Sequence, residues 1–336
     1  MKLATFETRD HAALVGVVLP AQQRVVALSD AFLAHHGTML PAFADMLALM
    51  RSGPGALDTA FELVARTHGD EPFVHPFDSV RFLAPVPLPE QIRDFSTFDL
   101  HMQQAGAAIA RLRANRRGDD PRALPQPNNI ALPPVYYEQP IYYKANRLNV
   151  IGHEHDVRWP RRARLLDYEA EFGVYIGRTG RDIESRNARQ HIFGFTIFND
   201  FSARDLQEHE MEGPFGPAKG KDFDTGNAMG PWIVTADEIA DPYDLAVTVR
   251  VNGEQWSRGS TRDMRHRFER MIEHVSADET LHVGEFLGSG TVGSGSGLEL
   301  NRWIKDGDVV EIEIEKIGVL RNRVVAQSGQ HTGDES

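Results

Sequence analysis

The sequence contains no cysteine. Disulfide bonds, thiolate metal sites and a cysteine nucleophile are therefore excluded. Long apolar runs are also missing, because none approaches the roughly 18 residues that a membrane helix requires. The first ten residues lack the hydrophobic core of a signal peptide. From these absences we expect a soluble, cytoplasmic protein.

Basic residues are in the minority, since 36 Lys and Arg face 48 Asp and Glu, for a net charge of −12. A general nucleic-acid binder would show a basic patch, so neither nucleic acid nor a membrane is an expected partner. A small acidic substrate would need a local positive pocket, because the field of the whole protein repels it. The glycine-rich segment 284–297 lacks the Lys-Ser/Thr ending of a P-loop, and no Rossmann fingerprint is found.

The chain has enough apolar residues for a core, with 41% hydrophobic content over 336 residues. This length allows one large domain or two ordinary ones. Residues 1–35 alternate in short β-like runs, helical patterns follow near 40–51 and 56–65, and a last strand and linker cover 80–87. The pattern predicts a small α+β domain over residues 1–88.

The remainder reads as mostly β, so the predicted fold class is mostly β, of the α+β type, with a larger domain over residues 89–326. Residues 116–137 fit neither helix nor strand, and we interpret them as a surface loop. Gly and Pro in the segment 208–217 predict a lid-like loop. The polar residues 327–336 predict a disordered tail.

Carboxylates cluster in one stretch of the larger domain. Residues 166–177 alternate like a strand, which places Glu169 and Glu171 on one face, where unpaired carboxylates repel each other. Asp200 follows a buried apolar run. A divalent cation between these carboxylates would remove the repulsion. A solvent-facing strand edge is the alternative for the Glu pair alone, and Asp200 with the cationic residues after it favours the metal site.

Cationic and polar residues follow Asp200. If the chain turns helically there, Asp200, Arg204 and Gln207 share one face. Lys221 lies beyond the predicted lid, and its alternative interpretation is a solvated lysine. His153 and His155 have the spacing of metal ligands on a strand, but no further His or Cys lies at a useful distance.

Two residues before the carboxylate stretch have both a structural and a chemical interpretation. Asp94 precedes a helical pattern over 100–114, and His101 lies seven residues further on. Because Asp commonly caps helices, Asp94 could be a helix cap with His101 on the helix surface. The alternative, developed below, makes both members of a site.

Four motifs together resemble the fumarylacetoacetate hydrolase family, over roughly residues 92–324. They are Asp167-Tyr168-Glu169-Ala170-Glu171, Asn199-Asp200-Phe201-Ser202-Ala203-Arg204-Asp205, Lys219-Gly220-Lys221-Asp222-Phe223-Asp224-Thr225 and Gly290-Thr291-Val292. The resemblance implies a mixed sheet rolled into a barrel-like sandwich and a homodimer. It also implies a divalent metal, Mg²⁺ first with Ca²⁺ or Mn²⁺ as alternatives, held by Glu169, Glu171 and Asp200.

The resemblance implies roles for further residues. Asp94 matches a fourth metal ligand, and His101 matches the base that activates water, with Glu299 as its hydrogen-bond partner. Arg204 and Lys221 match catalytic cations. The predicted substrate contacts are Tyr143, Gln207, Gly290 and Thr291. The implied reaction is hydrolysis of a carbon–carbon bond in a β-diketone or acylpyruvate-type acid.

Alternatives remain at this point. Decarboxylation, isomerisation or hydration of a 2-oxo acid would use the same metal-stabilised enolate. In the acylpyruvase and oxaloacetate decarboxylase branch a Glu follows the His by three residues, whereas this chain has Gln104. That departure, together with Asp94, favours the hydrolase. A catalytically silent Ca²⁺-binding protein would explain the carboxylates but not His101, Lys221 and Arg204 together.

Overall fold

The computed structural model describes residues 1–10, 13–69, 71–120, 124, 126, 130–213 and 215–326. Within these residues the chain folds around one 12-stranded sheet and a second sheet of five strands. None of the described helices is both long enough and apolar enough to cross a membrane. The predicted tail 327–336 lies outside the described residues.

The strands and helices follow one another along the whole described chain. In chain order the strands are β1 Lys2–Glu7, β2 Leu14–Leu19, β3 Arg24–Ala27, β4 Val74–Pro76, β5 Arg81–Phe82, β6 Ile92–Phe95, β7 Tyr142–Ala145, β8 Val150–Ile151, β9 Asp156–Arg158, β10 Leu166–Asp167, β11 Ala170–Ile176, β12 Gly180–Arg181, β13 Ile192–Asp200, β14 Ser202–Ala203, β15 Asn227–Thr235, β16 Ala246–Val251, β17 Glu254–Ser260, β18 Thr280–Leu281, β19 Phe286–Gly288, β20 Val309–Ile314 and β21 Gly318–Val325. The α-helices are α1 Leu28–His36, α2 Met46–Arg51, α3 Pro54–Arg66, α4 Asp99–Arg117, α5 Pro134–Glu138, α6 Ser185–Ala188, α7 Arg204–Glu210, α8 Ala218–Lys221, α9 Phe268–Ser276 and α10 Gly297–Leu300.

The large sheet runs in the order β4-β3-β2-β1-β15-β13-β11-β19-β6-β7, with β5 beside β1 and β8 beside β15. The smaller sheet has the order β17-β16-β20-β21-β9. Strand β1 pairs antiparallel with β15, so the N-terminal strands extend the sheet that carries the central strands. The division of the chain at residue 88 stays a prediction.

Two apolar clusters cover opposite faces of the central strands. On β11, Phe172 and Val174 belong to the cluster shared with the five-stranded sheet. Tyr175 belongs to the cluster formed with the N-terminal segment. Successive residues of a strand point to opposite faces, so Glu171 lies on the same face as Tyr175. Because every residue of β11 is buried, Glu171 is a carboxylate inside the protein.

Three predictions of local structure were wrong. The β-like pattern of residues 28–35 belongs to α1, which buries Leu28 and Ala31 on one side. The predicted loop 116–137 starts inside α4, which continues to Arg117 and ends at a left-handed Gly118. The same segment contains most of α5, which begins with a proline at its first position. The predicted lid 208–217 is wrong only at its start, because residues 208–210 belong to α7. Residue 214 lies outside the described part of the chain.

Glu208 joins the two helices that carry His101 and Arg204. Its buried carboxylate, with 2% side-chain exposure, accepts hydrogen bonds from Nε of Arg113 at 3.0 Å and Nε of Arg116 at 2.8 Å. Burial raises the pKa of Glu208, but the two guanidinium groups lower it more, and the net pKa lies below its usual value. The helices α4 and α7 are therefore held together by a charged carboxylate.

Replacing Glu208 with glutamine is expected to destabilise the protein by about 1–2 kcal/mol at neutral pH, because two hydrogen bonds to a charged group are weakened. A depressed folded-state pKa stabilises above the unfolded value of about 4.3, and this stability is lost as pH falls through the lower folded-state value. The difference in free energy of unfolding between wild type and Glu208→Gln should therefore shrink below about pH 4. Urea unfolding at neutral and acidic pH checks this, and an undiminished difference in acid would contradict it.

Candidate active site

Three buried carboxylates meet on one face of the large sheet. Asp94 lies on β6, Glu171 on β11 and Asp200 at the end of β13, and one carboxylate oxygen of each lies within 4.8 Å of the others. Strand β19 runs between β11 and β6 and places Gly288 opposite Asp94. A Cβ atom at Gly288 would lie 2.5 Å from Oδ1 of Asp94. The missing side chain lets the carboxylates approach across the intervening strand.

The electrostatics of this carboxylate triad suit a cation. Burial raises the pKa of Asp94, and the charge of Asp200 adds to the effect, so that it reaches about 7. Burial and then Asp94 raise the pKa of Glu171 well above its ordinary value. Burial also raises the pKa of Asp200. The Oδ1 atoms of Asp94 and Asp200 are buried and have no hydrogen-bond partner among the described residues. Three mutually repelling oxygen ligands fit a hard divalent cation.

Glu169 is held by two cations next to the triad. Nζ of Lys221 donates to Oε2 of Glu169 at 2.5 Å and to Oδ2 of Asp200 at 2.6 Å. Nη1 of Arg204 lies 2.8 Å from Oε1 of Glu169. Burial raises the pKa of Glu169, but Arg204 and Lys221 lower it more, to well below the usual range. Lys221 is 3% exposed, so its interpretation as a solvated lysine was wrong. The role of Glu169 as a metal ligand stays a prediction.

His101 and Glu299 form a pair beside Glu169. His101 lies in the first turn of α4, and its Nδ1 is 3.2 Å from Oε2 of Glu299, without the alignment of a hydrogen bond. Its Nε2 is 4.0 Å from Oε1 of Glu169. Burial lowers the pKa of His101, but Glu299 raises it more, so the net pKa lies above the ordinary value. His101 is 8% exposed, which excludes the surface position, and the residue at the cap of α4 is Phe98, not Asp94.

The carboxylate of Glu299 is fixed by its own loop. Glu299 and Ser296 form a capping box at the start of α10, in which each side chain bonds the backbone N–H of the other. The N–H of Ser294 also donates to Oε1 of Glu299, at 2.9 Å. The local sequence therefore fixes the Glu299 side chain on α10, while the position of α10 also depends on contacts outside its loop.

The predicted substrate contacts all bond members of the site. The hydroxyl of Tyr143 donates to Oδ2 of Asp200 at 2.7 Å. The side-chain oxygen of Gln207 accepts from Nη1 of Arg204 at 2.9 Å, as expected for residues three apart on one helix. These two side chains border the carboxylates and the guanidinium, while their contact with substrate stays a prediction.

The remaining two predicted contacts hold Glu171. The backbone N–H of Gly290 donates to Oε2 of Glu171 at 3.0 Å, and the hydroxyl of Thr291 donates to Oε1 at 3.2 Å. The structure thus brings every predicted site residue into one connected set around the carboxylate triad. It shows Gly290 and Thr291 as partners of a carboxylate, and their predicted role towards substrate is untested.

The comparison with protein families shows to which family the chain that forms this site belongs. A family model described as fumarylacetoacetate (FAA) hydrolase, C-terminal, matches residues 121–325, which is more than half of the chain. The chain belongs to the fumarylacetoacetate hydrolase family. The matched range contains the carboxylates of β11 and β13, Lys221 and Glu299, whereas Asp94 and His101 precede it.

Curated relatives in the fumarylacetoacetate hydrolase family share about half of this chain. An uncharacterised protein of Archaeoglobus fulgidus is 38% identical over 188 residues, which cover 56% of this chain and 70% of the relative. An oxaloacetate tautomerase of Bacillus subtilis is 36% identical, with 56% of this chain and 62% of the relative covered. A mitochondrial oxaloacetate tautomerase of Homo sapiens is 35% identical, with 59% and 61% covered. The alignments thus span about three-fifths of each tautomerase.

Solved structures match over nearly the whole chain. A fumarylacetoacetate hydrolase from Exiguobacterium antarcticum has a TM-score of 0.69 and 27% identity, covering 97% of this chain and all of the other. A maleylpyruvate hydrolase from Sphingobium, solved with manganese(II) and pyruvate, has a TM-score of 0.70 and 22% identity, covering 98% of this chain and all of the other. The second likeness concerns the fold alone. The predicted fold class and family are confirmed, and the family is one of enzymes.

One buried residue of the family motif received no role from sequence reasoning. Asp167 has no exposed surface and bonds Arg204 through Nε at 2.8 Å. The available signal was the period of two that places Asp167, Glu169 and Glu171 on the same side of the run.

Proposed function

We propose that this protein hydrolyses a carbon–carbon bond in an acylpyruvate-type acid, with a divalent metal at the carboxylate triad. The observation that carries the proposal is the position of His101, 3.2 Å from Glu299 on one nitrogen and beside Glu169 on the other. A histidine held in this way is the usual arrangement of a general base. The substrate is a small keto acid, and a homodimer is the proposed assembly.

The triad supplies the ligands for the metal. Asp94, Glu171 and Asp200 would hold the cation, with Glu169 as a further ligand next to Lys221. When bound, a hard divalent cation polarises a substrate carbonyl and stabilises developing negative charge. The manganese in the maleylpyruvate hydrolase structure supports this choice of metal class. So do the buried Oδ1 atoms of Asp94 and Asp200, which lack a hydrogen-bond partner within the described part of the chain.

His101 would move the protons of the reaction. The nearby carboxylate of Glu299 would favour the proton on Nδ1, which would leave Nε2 as the acceptor that faces the site. Nε2 takes a proton from water while the hydroxyl adds to the distal carbonyl carbon. The carbon–carbon bond then breaks, its electron pair stays on the pyruvyl carbon as an enolate, and that carbon takes the proton back. The products are a carboxylic acid and a pyruvate-type acid.

The cations would bind the acidic end of the substrate. Arg204 and Lys221 are buried and charged, and they would supply positive charge at the site of a protein whose net charge is −12. Tyr143 and Gln207 border them and would orient the carboxylate and the developing oxyanion. Gly290 and Thr291, now bonded to Glu171, are the proposed contacts for a second acidic end.

A second candidate is keto–enol tautomerisation of a 2-oxo acid such as oxaloacetate. The observation that favours it is the pair of tautomerases that are 36% and 35% identical to this chain. Tautomerisation moves one proton between carbon and oxygen and needs no attacking water. The same base and cations could perform it, so the two candidates differ in the fate of the carbon–carbon bond.

A substrate screen separates the candidates. The purified protein is incubated with an acylpyruvate or with oxaloacetate, each with Mg²⁺, with Mn²⁺ or with a chelator. We expect metal-dependent loss of the acylpyruvate chromophore together with stoichiometric pyruvate. Rapid enol-to-keto conversion of oxaloacetate, with no cleavage of the acylpyruvate, would favour the tautomerase instead.

A further inference from the structure

Asp167 stands at the junction of the two halves of the proposed site. It ends β10 and has no exposed surface. Its Oδ2 accepts from Nε of Arg204 at 2.8 Å and from the N–H of Leu298 at 3.0 Å. Its Oδ1 accepts from the N–H of Gly297 at 2.8 Å and of Tyr168 at 2.9 Å. Both oxygens are thus saturated by donors of this chain.

The contact with α10 is close enough to demand glycine. A Cβ atom at position 297 would lie 2.6 Å from Oδ1 of Asp167 and 2.2 Å from the carbonyl of Arg302. The helix that begins at Gly297 carries Glu299, whose carboxylate faces His101. Asp167 therefore fixes the helix that orients the proposed general base.

The other partner of Asp167 is the proposed substrate cation. Nη2 of Arg204 lies 2.7 Å from Oδ2 of Asp167, while Nη1 is 2.8 Å from Glu169. Because the two carboxylates contact different edges of the guanidinium group, they hold it in one orientation. Removing one partner of a buried ion pair costs free energy because the other charge is left unpaired. Without Asp167, the guanidinium group of Arg204 would have to move to find another partner.

We propose that Asp167 is a positioning residue that couples Arg204 to the Glu299–His101 pair, setting substrate affinity and proton transfer together. This inference rests on the proposed function for the roles of its two partners. The hydrogen bonds of Asp167 within the described residues go to Arg204, Tyr168, Gly297 and Leu298, so it acts on His101 and the substrate through the groups it holds.

Replacing Asp167 with asparagine tests whether the carboxylate couples the two halves of the site or only fills space. An amide has nearly the size of the carboxylate but only one accepting oxygen. If that oxygen faces Gly297, the NH₂ group faces Nε of Arg204 and the N–H of Leu298. If it faces Arg204, the NH₂ group faces Gly297. In either orientation the NH₂ group of the asparagine faces N–H donors of one half of the site, which need an acceptor.

The test compares wild type with Asp167→Asn and with Glu208→Gln. Glu208→Gln is the matched control, because it neutralises a buried carboxylate with arginine partners that lie away from the triad. For each Mg²⁺-loaded protein, kcat and KM are measured on whichever acid the wild type converts. Oxalate affinity is measured by calorimetry, and circular dichroism checks the fold.

We expect Asp167→Asn to lower kcat and oxalate affinity by about 10–100-fold each, the loss typical of residues that orient primary ligands. Glu208→Gln should keep both within about twofold, roughly 0.4 kcal/mol in either quantity, because Glu208 bonds Arg113 and Arg116 and no residue of the site. Folded Asp167→Asn with wild-type kcat and oxalate affinity, or with a loss equalled by Glu208→Gln, would overturn the inference. Failure of the wild type to cleave an acylpyruvate refutes the hydrolase proposal instead, while oxalate binding still tests Asp167.

Discussion

Replacement of His101 by alanine is expected to lower acylpyruvate hydrolysis by about 10²–10⁴-fold, the usual loss for a general base. His101 is buried in the first turn of α4, and Glu299 faces its Nδ1 at 3.2 Å. Water would then have to attack without a proton acceptor. The substitution should therefore lower kcat and leave the substrate affinity unchanged.

Metal binding should survive in His101→Ala. His101 approaches Glu169 at 4.0 Å, and it is not among the three residues that form the carboxylate triad. His155→Ala is the matched control, because His155 bonds the carbonyl of His153 away from the carboxylates. Hydrolysis rates and bound Mn²⁺ are measured for both variants. Equal hydrolysis in His101→Ala and wild type, with metal retained, would remove His101 from the mechanism and favour a decarboxylase or isomerase.

The local part of the site could be predicted from sequence because it depends on strand geometry. Residues two apart lie on one face, which predicts Glu169 beside Glu171. In the structure Glu171 belongs to β11 and to the triad, whereas Glu169 precedes that strand and pairs with Lys221 and Arg204. The end of an apolar run likewise places Asp200 where a buried strand reaches a loop. The predicted helix face held in part, because Arg204 and Gln207 lie three apart in α7. Asp200 is not on that helix, since it ends strand β13.

The tertiary part of the site could not be predicted from residue spacing. Asp94 meets Glu171 because β6 joins the sheet next to β19, a parallel pairing between segments about two hundred residues apart in sequence. Gly288 leaves the space between them, and nothing in its local sequence marks this role. Only the family resemblance pointed to Asp94 and His101, since spacing alone fits a helix cap equally well.

The errors in local structure have one local and one tertiary cause. Helix α1 spans only nine residues, and a short segment gives too few turns for a 3.6-residue period to stand out against alternation. The side chain of Glu208 had no predicted partner, because the arginines that bury it lie more than ninety residues away in sequence. Tertiary contacts of this kind stabilise a polar segment as a helix.

Replacement of Glu171 by glutamine is expected to weaken Mg²⁺ and Mn²⁺ binding by at least about 100-fold, because loss of a direct ligand exceeds the 10–100-fold loss typical of outer-shell partners. Glu171 is fully buried, and its oxygens also accept from Gly290 and Thr291. The amide keeps the volume but removes the charge that a hard cation requires. Binding is measured by calorimetry, with Glu208→Gln as the control that loses a buried carboxylate elsewhere.

The same experiment with Glu169→Gln tests a residue that is both a proposed metal ligand and the partner of two protein cations. Arg204 and Lys221 already neutralise its charge, so less negative charge is left for the metal. We therefore expect a smaller loss of metal affinity than for Glu171→Gln, of about tenfold. Unchanged affinity would assign Glu169 to Arg204 and Lys221 alone. Unchanged affinity in Glu171→Gln, or metal found at His153 and His155, would move the metal away from the triad. Because the triad is held by strands β6, β11 and β13 rather than by loops, either result would also require another explanation for three repelling acids at the centre of the sheet.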